Sequence, residues 1–327
     1  MAEKAAAPEI AVVIPTHQRA DLLAPLLDAL KAQTLAPDRF EVLFVDDCST
    51  DDTVAQLEQR ADDLPFSMRV LRTPSNSGPA VARNIGWRAT KAPLLAFLDD
   101  DCTPDRGWLE AGLAALVDNP GAGVIQGRTE APEEEYSLPN ITGGPPNWYV
   151  WRIVREATPY FEALNIFYRR EAFEETGGFD EEIGWWGEDT AAGWRVLEAG
   201  WTRDFASDAL AVHPVEPRGW NWYLRSGLLE RNNISLAARF PGFRDEAQWR
   251  TWAVRPEPPA FLLALVGLLL SRRFRPALLL LAPYVVLRRP SVRRASFFRL
   301  CLQIPLVDAA QTIGHLRGSL ENGIVVV

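Results

Sequence analysis

Lysine is nearly missing from this 327-residue chain. Only Lys4, Lys31 and Lys91 occur, so almost all positive charge is arginine, a bias of coding rather than of chemistry. Cysteine is equally sparse. Cys48, Cys102 and Cys301 form no CxxC pair and no zinc spacing, so a reducing compartment is the default. No GxGxxG follows a strand-like run and no P-loop is present, which disfavours a Rossmann oxidoreductase and a P-loop NTPase. The opening MAEKAAAPEI has no apolar run of signal-peptide type, so the body is expected to be cytoplasmic. Internal repeats and low-complexity tracts are also missing.

Acid is absent over one long stretch: no Asp or Glu occurs between Glu257 and Asp308. From Pro258 onward nine Arg face Asp308 and Glu321, a net of +7, so the −9 of the whole chain leaves −16 on residues 1–257. So acidic a body excludes nucleic acid as its partner, whereas a basic, apolar tail suits an anionic membrane surface. Residues 1–255 are expected to form one α/β domain and 256–327 a helical, membrane-associating tail.

What is present in the first half is an alternation of short apolar runs with helical patterns. Ile10–Pro15, Phe40–Val45, Arg69–Arg72 and Pro93–Leu98 read as strands. Asp21–Gln33, with Leu22, Leu23, Leu26, Leu27 and Leu30 on one face and Asp21 as N-cap, reads as a helix. Val54–Ala61 and Pro79–Thr90 read likewise. Such alternation predicts a mainly parallel sheet flanked by helices, with ligands beyond the carboxyl ends of its strands. The acidic clusters stand at those ends. Residues 128–160, rich in Pro, Gly and acid, read as a long loop or lid.

Four clusters carry chemistry. In Asp99-Asp100-Asp101, strand alternation would aim Asp99 and Asp101 the same way, at one hard cation able to offset a departing diphosphate; the plain alternative is a solvated acidic turn. Of Asp46-Asp47, Asp47 is the candidate for a base or ribose contact, while Asp51, Asp52 and Thr53 read as helix caps. In Gly187-Glu188-Asp189 a carboxylate at a helix start could take a hydroxyl proton, or merely cap the helix. His213 could complete a metal shell, although a lone histidine is more often structural.

Taken in order, VVIPTHQRADLL, FEVLFVDDCSTDDT, NSGPAVARNIGWRA, LLAFLDDDC, NIFYRREAFEETGGFD and GEDTAAGWRVLEAG resemble the family 2 glycosyltransferases of the GT-A fold over roughly residues 9–215. The resemblance implies an inverting enzyme using Mg²⁺ or Mn²⁺. Pro15, Thr16, Arg19 and Asp47 would line the nucleotide pocket, with Arg83 and Asn84 approaching the base or diphosphate. Asp99 and Asp101 would be the DxD pair, Asp101 the firmer metal ligand and Asp99 nearer the ribose, with Asp100 beside them on the donor side. Asp189 would be the general base and Glu188 its fallback; Gly178, Phe179, Trp185 and Trp186 would shape the acceptor side. The processive QxxRW motif is missing, which favours transfer of a single sugar.

After Pro256, Ala260–Leu270 and Ala277–Leu287 are eleven-residue apolar segments split by SRRFRP. Each is about half the ~20 residues a spanning helix needs. Arginine-flanked segments of this length fit a monotopic anchor on the cytoplasmic face of the membrane. A hairpin packed on the body, a dimer contact and a re-entrant hairpin are the alternatives. The expected partners are a UDP-sugar donor, a lipid-linked or envelope glycan acceptor and a membrane surface. A nucleotidyltransferase would carry a Gly-rich loop after the first strand, where this chain has Pro15-Thr16-His17-Gln18-Arg19. A non-catalytic sugar-nucleotide sensor would not need both acidic motifs.

Overall fold

The computed structural model of the chain describes residues 7–137, 148–150, 152–183, 186–247, 256–292 and 303–324. In chain order the elements are β1 (Ile10–Thr16), α1 (Leu23–Lys31), β2 (Phe40–Asp46), α2 (Thr53–Ala61), β3 (Ser67–Arg72), α3 (Pro79–Ala89), β4 (Leu94–Leu98), β5 (Thr103–Pro104), α4 (Trp108–Asp118) and β6 (Ala122–Glu130). Then follow β7 (Trp148–Val150), β8 (Asn165–Arg169), α5 (Arg170–Glu175), α6 (Glu188–Glu198), β9 (Thr202–Val212) and β10 (Glu216–Arg218). The helices α7 (Trp220–Leu229), α8 (Arg231–Arg239), α9 (Pro241–Ala247), α10 (Glu257–Ser271), α11 (Ala282–Val292) and α12 (Ile304–Asn322) follow among the described residues.

Two compact units result. The first holds the described residues up to Pro132 together with Arg152–Pro214; the second holds those of 133–151 and 215–327. The compositional change at residue 256 falls inside the second unit.

The first unit is built on an eight-stranded sheet in the order β3-β2-β1-β4-β8-β6-β9-β5. β3, β2, β1 and β4 run parallel, as the helical crossovers between them require. β8 enters antiparallel to both β4 and β6, and β5 antiparallel to β9. The sheet is therefore mixed, with a parallel half as the alternation implied. β1, β2 and β4 are near-continuous apolar runs because helices cover both faces. In α1, Leu23, Leu26, Leu27 and Leu30 are buried as the periodicity predicts. The helix starts two residues later than expected, however. Leu22 occupies the cap position and is half exposed, and Asp21 makes no cap.

In the second unit β7 pairs antiparallel with β10. α12 lies against α7 and α8 at glycines: a Cβ on Gly314 would stand 2.4 Å from the Gly227 carbonyl oxygen, and one on Gly318 2.8 Å from Ile234. Buried Asp308 of α12 accepts from the Tyr284 hydroxyl at 2.5 Å and pairs with Arg288. The two expected apolar segments form α10 and, after a 3-10 stretch at Arg275–Leu281, α11. Among the described residues no helix is long and apolar enough to cross a membrane.

Gly86 lets α3 close onto the parallel half. A Cβ there would lie 2.4 Å from Val13 Cγ1 and 3.0 Å from Val45 Cγ2. In an open helix Gly→Ala stabilises by up to about 1 kcal/mol. Here the sign is expected to reverse: Gly86→Ala should destabilise by about 1–3 kcal/mol through overpacking, read as a lowered urea midpoint.

Candidate active site

The site stands at the carboxyl ends of β1, β2 and β4, with contributions from α3, α6 and the end of β9. Past β1 and β2 the two loops are laced together. Gln18 N donates to Ser49 Oγ at 2.9 Å, Arg19 N to Thr53 Oγ1 at 2.9 Å and Ala20 N to Asp51 Oδ2 at 3.3 Å. Gln18 (φ 56°) and Cys48 (φ 62°) take left-handed backbone at the bends. The lacing uses Asp51 and Thr53, confirming a structural role for that run, though as a clasp between loops rather than as simple caps: Asp52 sits at the cap position of α2 without a side-chain bond.

Asp47 follows β2, its N–H donating to the Thr16 carbonyl at 2.8 Å. Its carboxylate accepts from Thr73 Oγ1, Ser77 N and Gly78 N, each at 2.8 Å. It thus anchors the turn into α3, where Gly78 takes φ +90°. Asp46 is occupied by the Ser49 amide and Arg72. Both oxygens of Asp47 are thus engaged in ordering this loop.

Alternating strand geometry ends at Leu98, so Asp99 and Asp101 do not share one direction as the strand argument expected. Asp99 Oδ1 accepts from Arg83 Nη2 at 2.7 Å. Asp101 Oδ2 faces Arg19 Nη2 at 3.2 Å, while its Oδ1 lies 3.5 Å from His213 Nε2. Asp100 is buried and held by Arg19 Nε at 3.2 Å; burial pushes its carboxyl up to about 7 against the pull of that arginine. Arg19 therefore ties the first loop to the acidic triplet. It is a clamp on the triplet as well as a candidate donor contact.

His213 arrives beside Asp101 because β5 and β9 pair at Thr103 and Val212. Its Nδ1 lies 2.7 Å from the Pro214 carbonyl oxygen, which can only accept, so Nδ1 donates there and Nε2 is the ring nitrogen turned to Asp101. Two ligands of one divalent ion at ~2.1 Å stand about 3–3.5 Å apart. The Asp101–His213 pair fits that spacing. Asp99, turned to Arg83, does not join it, and no three His, Cys, Asp or Glu among the described residues make a ready-built ligand set.

Arg83 is buried and bridges Asp99 to Glu188, with Nη1 3.1 Å from Glu188 Oε1. Beneath it lies Phe179, its ring centroid 5.5 Å from the guanidinium carbon. Phe179 packs against Phe97 and Phe173 at 4.9 and 5.2 Å. It is a support for Arg83 within the aromatic core, not an acceptor-lining residue as expected. Asn84 is likewise corrected. Its amide bonds the Phe179 backbone at 2.9 and 3.0 Å, Glu181 at 2.7 Å and Trp87 Nε1 at 2.8 Å, which leaves it no reach to a base or diphosphate. Gly178 has φ +82°, and a Cβ there would stand 2.7 Å from Asn84 Oδ1; it serves this clasp rather than an acceptor. Trp185 lies outside the described residues.

Gly187, in left-handed backbone at φ +93°, turns the chain into α6 so that Glu188 and Asp189 open the helix. Asp189 Oδ2 accepts from Ala163 N at 3.2 Å and Oδ1 from Thr190 N at 2.7 Å. Burial pushes Asp189 up, opposed by Arg83; burial and the neighbouring Asp189 push Glu188 up to about 7. Two further residues escaped the sequence reading. Glu162, next to the Ala163 amide that holds Asp189, pairs with Arg152 at 3.0 Å, and Arg152 lies 5.9 Å over the Trp186 ring. Each is a single charged residue in an unpatterned segment, so no spacing signalled it.

Glycosyl transferase family 2 is the family whose model matches, over residues 11–177. The glycosyltransferase AglE of Haloferax volcanii is 29% identical over 220 residues, 65% of this chain and 69% of that protein. The pre-mycofactocin glycosyltransferase of Mycobacterium tuberculosis is 30% identical over 245 residues, 71% of this chain; the chain spans about half its length, 48%. In fold, the chain is similar to the mannosyltransferase PcManGT of Pyrobaculum calidifontis, solved with GDP-Man and Mn²⁺, with TM-score 0.68 and 23% identity over 94% of this chain and 87% of that one.

Glu188 gives the cluster a pH signature. Its folded value of about 7 lies above the ~4.3 of an exposed glutamate, so the proton stabilises the fold at low pH and that contribution is lost as pH rises through 7. In metal-free protein the urea midpoint is expected to fall between pH 5 and 8, and to fall less in Glu188→Gln.

Proposed function

The chain belongs to glycosyl transferase family 2, and from that premise we propose that it is a metal-dependent, inverting enzyme that moves one sugar from a UDP-sugar to a hydroxyl of a lipid-linked or envelope glycan. The observation that carries this is the placing of Arg83. One buried guanidinium joins the acidic triplet after β4 to the carboxylate pair opening α6, so donor-side and base-side groups are held on one cation.

Pro15, Thr16, Arg19 and the Asp47 loop would line the nucleotide, and Asp101 with His213 would hold Mg²⁺ or Mn²⁺. When bound there, the ion supplies positive charge against the leaving diphosphate. Asp189 is the base. Its two oxygens are oriented by backbone N–H groups, and its raised carboxyl brings its basicity nearer working pH. It takes the acceptor hydroxyl's proton as the acceptor oxygen bonds to the anomeric carbon. The bond from that carbon to the diphosphate oxygen breaks on the opposite face.

A panel of UDP- and GDP-sugars with Mn²⁺ or Mg²⁺, read by released nucleotide, tests the reading. Asp101→Ala is expected to abolish metal-dependent donor binding. Asp189→Asn should keep donor binding and lose about 10²–10⁴-fold in transfer; normal transfer by that variant would remove Asp189 from the mechanism. A protein that binds donor and metal yet never releases nucleotide would be a sensor instead.

Residues 256–327 are the membrane-associating segment in this reading. Leu265, Leu268, Leu269, Phe274, Leu279 and Val286 are exposed around Arg272, Arg273 and Arg275, the composition of an interfacial anchor. Full-length protein is expected to float with vesicles containing phosphatidylglycerol, and Leu269→Ser/Leu279→Ser to float less. Equal flotation of the two would refute the anchor.

A further inference from the structure

We propose that Arg152, Glu162 and Trp186 form the acceptor subsite, and that the group it takes is a neutral, polyhydroxylated sugar ring rather than a phosphate-bearing group. The proposal rests on the reading of Asp189 as the base. It adds which residues grip the other reactant and what that reactant is.

Position is the first argument. The Ala163 amide donates to Asp189 at 3.2 Å, so the peptide carrying Glu162 lies directly against the base. Glu162 and Arg152 are both partly open, with side chains 25% and 33% exposed. Asp189 is near enough for its charge to act on both Glu162 and Arg152, and that of Asp99 acts on Arg152 as well.

Composition is the second. A carboxylate accepts from two adjacent hydroxyls, a guanidinium donates to ring or hydroxyl oxygens, and an indole face covers the apolar side of a pyranose. Arg152 sits 5.9 Å over the Trp186 ring and 3.0 Å from Glu162, so all three functions are held together. The third argument is charge. Glu162, Asp189 and Asp99 put negative charge in this region, while Arg83 and Arg152 are already engaged by carboxylates. A second anion beside the base would meet repulsion, and a neutral ring would not.

The test uses the full chain with Mn²⁺ and the donor that the panel identifies. Methyl β-D-glucoside, methyl α-D-mannoside and methyl N-acetyl-β-D-glucosaminide are the neutral probes, and glycerol 1-phosphate is the anionic one. At least one neutral glycoside is expected to accelerate nucleotide release. Glu162→Gln should raise KM for it tenfold or more with donor KM unchanged. Trp186→Ala should do the same and Trp186→Phe should largely restore it, a pattern that loss of folding would not give. Acceleration by glycerol 1-phosphate alone, by none of the probes, or an unchanged glycoside KM in Glu162→Gln overturns the subsite while leaving donor turnover intact. Absence of nucleotide release from wild type with every donor overturns the transfer reading and the subsite together.

Discussion

The buried guanidinium of Arg83 is the constraint on which the cleft depends. Burying a cation is costly unless it is paired, and here Asp99 and Glu188 take its two Nη groups from two distant stretches of chain, leaving Nε without a hydrogen-bond partner among the described residues. The ring of Phe179 completes the enclosure. Around that point the rest arranges itself: Asn84 fixes Phe179, Gly178 admits the close approach to Asn84, and Gly86 seats α3 so that Arg83 reaches both carboxylates. Several residues that look like ligand contacts in the sequence are in fact the scaffold of this one cation.

The carboxylates are differentiated by environment rather than by type. Glu188 faces Arg83 yet is raised by burial and by Asp189; Asp189 is raised by burial but keeps two backbone N–H donors that favour its charged form. Of these adjacent acids, one carries the ion pair to Arg83 and the other is held by two backbone N–H groups. His213 shows the same economy, since the Pro214 carbonyl alone settles which ring nitrogen faces Asp101.

The parallel half of the fold was legible because its signals are local. Runs such as Ile10–Thr16 and Phe40–Asp46 are apolar along their length, and acids stand where they end. The antiparallel insertion of β8 was not, because register and direction are decided by partners far away in the chain. The site divides the same way. Asp101 and His213 stand side by side, and Glu188 and Asp189 open α6, all in the first unit and all singled out by sequence patterns. Phe179 and Asn84 were misassigned because a motif marks a position that matters without saying whether the side chain faces ligand or core. Glu162 and Arg152 belong to no motif; only folding brings them beside Asp189.

The clasp between the loops following β1 and β2 has its own consequence. Gln18 and Cys48 hold left-handed backbone while Ser49, Asp51 and Thr53 receive the amides of the opposite loop. The two loops are thereby one interlocked piece, so any ligand bound there would lose little conformational entropy in ordering them. The same rigidity narrows how this wall can evolve. An insertion in one loop would break the other's bonds, so a change in this wall must come from exchanged side chains or from paired alterations of both loops, not from drift in loop length.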